Sequence, residues 1–294
     1  MDFTLYWFMA PVSMLVATVA MLSGIGGAAL FTPIFIILFP LLGPEYVLES
    51  TVAAIGTALL TETFGFSSGF IGYYRKRIVD FALAFKFLRV AVPVAIFGAL
   101  TTQFVDDGVL IAGYSFLVFV LAVVLVFFHH GAIEADPAFI ASAGDDMRRK
   151  VDDKGREHVY ATPRLGLVSG LMTGTGAFLT GMLSVGIGEA IVPQLTRRGV
   201  PVAVAAATSV AVVIVTVASA SFTLIGQLVS EGGLSAVPWN LVVYTIPGVI
   251  IGGQIGPRLQ GLISHRAMER AIGILFMAIA VAMAFVAMKR LGIS

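Results

Sequence analysis

The sequence predicts an all-α polytopic membrane protein of two inverted-topology repeats, each with about five hydrophobic segments and a short broken or re-entrant helical hairpin. Three observations lead there. The first is composition: of 294 residues 58% are hydrophobic and 12% charged, and the mean hydropathy is +0.98. Soluble domains carry about twice that charged fraction, and stretches such as Gly199 to Ser230 and Gly232 to Pro257 hold no charged residue over a bilayer-length run. The second is division: one hydrophilic stretch, Glu134 to Arg164, separates two groups of apolar segments. The third is a pair of glycine breaks inside apolar sequence, "SGIGGAALFTP" (Ser23 to Pro33) and "SVGIGEAIVP" (Ser184 to Pro193).

The apolar segments run over roughly 8–23, 28–42, 48–72, 81–104 and 108–130 in the first group. In the second they run over roughly 164–182, 189–198, 201–228, 239–256 and 264–288. This gives a membrane repeat over 1–130, a cytoplasmic connecting loop over 131–163, and a second membrane repeat over 164–294. The connecting stretch mixes acids and bases without a sustained apolar period and reads as a solvated loop. No Lys or Arg precedes Arg75, unlike the basic start of a cleaved leader, so the N-terminus is expected to be retained.

The groups match internally. Gly26 falls over Gly186 and Pro33 over Pro193. "VPVAIFGA" (Val92 to Ala99) aligns with "IPGVIIGG" (Ile246 to Gly253), and "IGTA" (Ile55 to Ala58) lies opposite "ATSV" (Ala207 to Val210). Three matches in one order indicate a duplication. Basic loops sort to the cytoplasm, which places Tyr73–Asp80, Arg148–Lys150 and Thr196–Gly199 inside and both termini outside. Equivalent links of the two repeats then face opposite sides, the arrangement of inverted repeats with a site at their interface.

The segments beside the first break are each too short to cross comfortably, so a re-entrant hairpin is expected there. A helix restarting near Ala28 points its free N–H groups and positive dipole end at the break, which suits an anion without any basic side chain. The expected substrate-binding groups are Gly24, Gly26 and Gly27 at one tip and Ser184, Gly186 and Gly188 at the other. Thr57, Thr208 and Ser209 are hydroxyl candidates on repeat-equivalent segments. The competing reading makes these glycines close-packing positions between helices.

Glu62, mid-segment, is a candidate coupling group, because intramembrane acids are costly and commonly functional. Glu189 is a second proton-carrier candidate, against the alternative of an acid stabilising a first helical turn. Arg89 is a charge candidate that could pair with Glu62 or attract the anion, unless it snorkels to the interface.

The chain contains no cysteine, which excludes disulfides and thiolate chemistry. Its four histidines show no spacing suited to a metal. With no GxSxG elbow and no P-loop, neither an enzyme nor internal ATP coupling is expected, and no cofactor is called for. A net charge of +1 gives no case for nucleic acid.

These motifs resemble the TauE/SafE sulfite exporter family, also called the toluenesulfonate uptake permease family. The resemblance rests on "GIGGAALFTP", "AIGTALL" (Ala54 to Leu60), "IVDF" (Ile78 to Phe81), "GIGEAIVPQL" (Gly186 to Leu195) and "AAATSV" (Ala205 to Val210), spread over nearly the whole chain. Glu189 departs from the small residue the family often has there. The resemblance implies transport of sulfur-containing anions such as sulfite or organosulfonates. The expected protein is thus a secondary transporter, an exporter by family, working by alternating access in a cell membrane (the inner membrane of a prokaryote). Its partners would be a small anion, the lipid bilayer and protons. A passive anion channel of the same architecture is the alternative.

Overall fold

The computed structural model describes residues 2–23, 26–127, 147–153, 155–163, 165–259 and 265–292. In the first half, α1 is Met9–Ser23 and α2 is Ala28–Pro33, which runs through a π turn, Ile34–Leu38, into α3, Phe39–Leu42. Then come α4 (Thr51–Arg75), α5 (Phe81–Thr101) and α6 (Asp107–Phe127). After a hairpin of β1 (Met147–Val151) and β2 (Glu157–Ala161), the second half holds α7 (Leu167–Leu183) and α8 (Ile187–Thr196). It ends with α9 (Val202–Gly232), α10 (Trp239–Leu259) and α11 (His265–Arg290). Among the described residues, four helices are long and apolar enough to span a membrane, over Phe81–Phe104, Asp107–Phe127, Val202–Gly232 and Arg270–Arg290. Shorter apolar helices occupy the ranges around both breaks.

Local chemistry explains these boundaries. Ser50 caps α4 by accepting from the Ala53 amide at 3.0 Å, so the helix starts three residues later than its apolar run. Pro33 lies inside the first broken segment and lacks an N–H. The Ala29 carbonyl, four residues earlier, instead accepts from the Tyr114 hydroxyl on α6 at 2.6 Å. A π turn follows directly, as it often does where the regular ladder is interrupted. Phe31, Phe35 and Phe39 then stack at i, i+4 spacing, with centroids 5.9 and 5.2 Å apart. All three are buried.

The helices pack reciprocally. α1 lies along α10, and α7 lies along α5. α4 packs on α9, and α6 on α11; α9 also meets α5, as α4 meets α10. Exchanging the two halves in the sequence alignment returns every one of these contacts. Two aligned glycines allow close approaches: a Cβ on Gly98 would collide with the backbone of Phe178, and one on Gly252 with that of Met14. Helices in lipid associate through such small residues. α9 is the most enclosed of the spans, while α6 and α11 stand at the rim.

The connecting segment is not simply a solvated loop. Its described part is an antiparallel hairpin with Met147 opposite Ala161 and Val151 opposite Glu157, docked on Asp80 at the start of α5. Arg148 Nη1 contacts both Asp80 oxygens at 2.6 and 2.7 Å, and the buried Tyr160 hydroxyl donates to Oδ2 at 2.8 Å. Asp80 also caps α5 through the Leu83 amide at 3.0 Å, and its own amide donates to Thr208 on α9. One residue therefore ties together both halves and their connector, its carboxylate holding α5 and the hairpin and its amide holding α9.

Burial works to raise the Asp80 carboxyl's pKa, but the Leu83 amide, the Tyr160 hydroxyl and Arg148 outweigh it and hold the group below its ordinary range. Burial, followed by the bond to Asp80, pushes the Tyr160 hydroxyl up. A carboxyl held low in the folded state stabilises above its unfolded value, near 4, and that contribution disappears as pH falls through the folded value. Asp80→Asn is expected to cost about 1–3 kcal/mol at pH 7, a discounted figure because Arg148 stays one-third exposed. Thermal unfolding of the two proteins in detergent should show this difference at pH 7 and lose it below about pH 4. A difference that persists unchanged at low pH would remove Asp80 as its source.

Candidate functional site

At the second tip, α7 ends on Ser184 in the left-handed region (φ 64°, ψ 16°), and its amide donates to the Thr180 carbonyl. Gly186 follows at φ 140°, a conformation open essentially to glycine alone, and from it α8 starts. The Ile187 amide donates to Thr180 Oγ1 at 2.8 Å, which fixes the angle between the two helices. Thr32 on α2 and Ser184 share a hydroxyl hydrogen bond of 2.8 Å, so the first broken segment touches the second tip. At the first tip Gly27 sits immediately before α2 in helical conformation.

Between the tips is a small cavity of about 10 Å³, room for a single water. Its polar border is formed by Gly26, Glu62, Thr180, Ser184, Gly186 and Glu189. The Gly26 amide donates to Glu189 Oε1 at 3.3 Å. The Glu189 carboxylate also lies against the amide of Gly186 and its own amide, so it spans both tips. Glu62, 3% exposed, places its carboxylate against the amides of Gly27 and Ala28. Its Oε1 is buried with no hydrogen-bond partner among the described residues. A second cavity of the same size lies on the other side of Glu62, toward α1 and α10, with otherwise apolar walls.

The helix starts are therefore not bare anion cradles, as the sequence suggested. They face two of the protein's own carboxylates, and no Lys or Arg borders either cavity. Each carboxylate accepts from backbone amides at a helix start, the arrangement that favours a negative charge there.

The expected residues divide as follows. Gly26, Glu62, Ser184, Gly186, Gly188 and Glu189 come together around one cavity, and Gly27 borders its neighbour. Gly24 lies outside the described residues. Thr57 and Ser209 are buried on α4 and α9 but border neither cavity, and Thr57 Oγ1 has no partner among the described residues. Thr208 is engaged by the Asp80 amide at 3.0 Å. Arg89 faces outward on α5 with its guanidinium 4.8 Å over the Phe85 ring, so it has no contact with the buried Glu62. This is the snorkelling arrangement of an interfacial Arg.

Two hydroxyls that hold the tips, Thr180 and Thr32, were not among the sequence candidates. Thr180 sits four residues before the αL residue that ends its helix, and that spacing is the signal that could have found it.

The family model for the sulfite exporter TauE/SafE matches residues 9–283. The chain belongs to that family. Comparison with curated proteins and with solved structures finds no match. The TauE/SafE match spans both halves and the hairpin, so both tips and both acids lie inside the family's own extent. It also makes this a multi-pass protein of a transporter family, in agreement with the apolar helices.

Proposed function

We propose that the chain is a secondary transporter that exports small sulfur oxyanions such as sulfite or organosulfonates, with the central cavity as the substrate site. The observation that carries the reading is the meeting of two helix starts and two buried carboxylates on one cavity. A sulfur oxyanion offers the same kind of acceptor oxygens as a carboxylate, so it competes for the amides of Gly26, Gly27 and Gly186. A carboxylate that takes a proton gives up its claim on those amides, and the anion can then enter. Substrate entry and protonation become linked, which is what separates a coupled transporter from a passive pore.

The two halves act as inverted repeats rocking about this site. The reciprocal helix contacts support that reading, as does the opposite sidedness expected for equivalent loops. The cavity has room for one water-sized group only, so the halves have to part for the anion to enter.

Proteoliposomes loaded with sulfite test the proposal. Efflux is expected to saturate with sulfite concentration and to respond to an imposed pH gradient at clamped membrane potential. A flux that neither saturates nor responds would make the protein a channel. Cysteines placed at Arg77 and Arg149 of this cysteine-free chain report, in intact cells, whether both basic loops label only from the cytoplasmic side.

A further inference from the structure

A second charged site lies at the corner where α4 passes into α5, away from the central cavity. An open cavity of about 520 Å³ is lined there by Tyr74, Arg75, Arg77, Val79, Phe81 and Lys150. Arg75 ends α4, Arg77 lies in the turn that follows, and Lys150 comes from β1 of the hairpin. None of the three forms an ion pair among the described residues. The acids around them are already matched: Asp80 with Arg148, Glu157 with Arg149, and Asp152 with Arg156. Three uncompensated cations around one cavity attract an anion.

The other wall of this cavity identifies the kind of anion. Phe81 begins a membrane-length apolar helix, so the cavity lies at the level where the bilayer surface must be. Tyr74 and Phe81 are 60% and 53% exposed and meet edge to face at 6.2 Å. Phe85, one turn further along α5, is also exposed but has the Arg89 guanidinium 4.8 Å over its ring, so the apolar strip beside the cations is Tyr74 with Phe81. Aromatic side chains of this kind mark the headgroup level. A free anion has no use for such a strip, whereas a phospholipid needs both halves of the surface.

We propose that this corner binds the headgroup of an anionic phospholipid, with its phosphate against Arg75, Arg77 and Lys150 and the start of an acyl chain against Tyr74 and Phe81. Basic pockets beside membrane helices take anionic lipids by this combination. Since Lys150 belongs to the hairpin, the lipid also holds the connector of the two halves against the membrane surface. The assignment does not depend on the substrate of the central cavity.

Native mass spectrometry of the intact protein, released from neutral detergent after titration with phosphatidylglycerol or phosphatidylcholine, reads this site. The wild-type protein is expected to hold one phosphatidylglycerol at least about tenfold more tightly than phosphatidylcholine. In the triple variant Arg75→Gln/Arg77→Gln/Lys150→Gln the two lipids should bind alike. A preference that survives in the triple variant, or equal binding of both lipids to the wild type, overturns the proposal. Inorganic phosphate at the lipid's own concentration is expected to leave phosphatidylglycerol bound; displacement would make this a site for a free anion and overturn the lipid assignment. A reading independent of any variant comes from salt: raising ammonium acetate about tenfold should reduce the wild-type preference, because exposed charges are screened, and an unchanged preference counts against it.

Discussion

Gly26→Val is expected to weaken sulfite binding at least about tenfold, or about 1.4 kcal/mol, while leaving a folded protein. A Cβ at this position would stand 3.0 Å from Glu62 Oε1 and 3.8 Å from Glu189 Oε1. It would enter the one space where both carboxylates and the tip amides meet, and the two further methyl groups of valine would fill a cavity of about 10 Å³. Gly186→Val strikes the same site by another route. Its φ of 140° is strained for any side chain, at about 1–3 kcal/mol, and its Cβ would stand 2.8 Å from the Gly176 carbonyl oxygen. This second variant is therefore expected to lose stability as well as binding, whereas Gly26→Val should lose mainly binding. Gly226→Val, on α9 with open space around it, controls for the general effect of valine in a membrane helix. Isothermal titration of sulfite into the purified proteins checks the set. If Gly26→Val binds as tightly as the Gly226→Val control, the site is elsewhere and the glycines serve helix packing.

Most of the fold was legible because its elements are read from long apolar runs. The segment expected over 28–42 is observed over those residues, although Pro33 divides it into two helices and a π turn. The helix expected over 189–198 begins at Ile187 instead. Gly186 supplies its turn, three residues before Glu189. The hairpin was missed because its strands are polar and short, and their partners are supplied by Asp80 on a distant helix. A turn signal was nonetheless present in "DDKGRE" (Asp152 to Glu157), where Gly155 takes φ 75°.

The site was legible in part, for a different reason. Backbone breaks leave a mark in sequence through glycine and proline, so Gly26, Gly186 and Ser184 could be placed in advance. Side chains arriving from other helices leave none. Nothing in "LLTETFG" indicates that the Glu62 carboxylate reaches the start of α2, and nothing around Arg89 indicates that it turns toward Phe85. Thr208 looked available as a hydroxyl donor because its acceptor role toward the Asp80 amide depends on how α5 and α9 meet.

Glutamine at Glu62 or Glu189 is expected to keep sulfite binding within a fewfold of wild type and to abolish the corresponding share of proton coupling. Glutamine preserves the shape and one acceptor oxygen of the side chain, but it cannot take up and release a proton. Its effect on driving force can be counted. One pH unit is worth about 1.4 kcal/mol per proton, so a carrier that moves one proton per anion sustains about a tenfold sulfite gradient for each pH unit, and two protons sustain about a hundredfold. Vesicles at clamped potential, compared with protein-free vesicles carrying the same sulfite speciation, should reach one of these limits. If both acids carry protons, each single variant lowers the limit about tenfold and the double variant removes it. If only Glu62 does, Glu189→Gln leaves the limit unchanged and Glu62→Gln removes it. Glu62 is the stronger candidate, because it separates two one-water cavities and its Oε1 lacks a hydrogen-bond partner among the described residues. Glu189 instead spans the amides of both tips, so its variant is the one expected to alter affinity. A wild-type gradient limit retained in the double variant would reduce both acids to structural groups holding the helix starts.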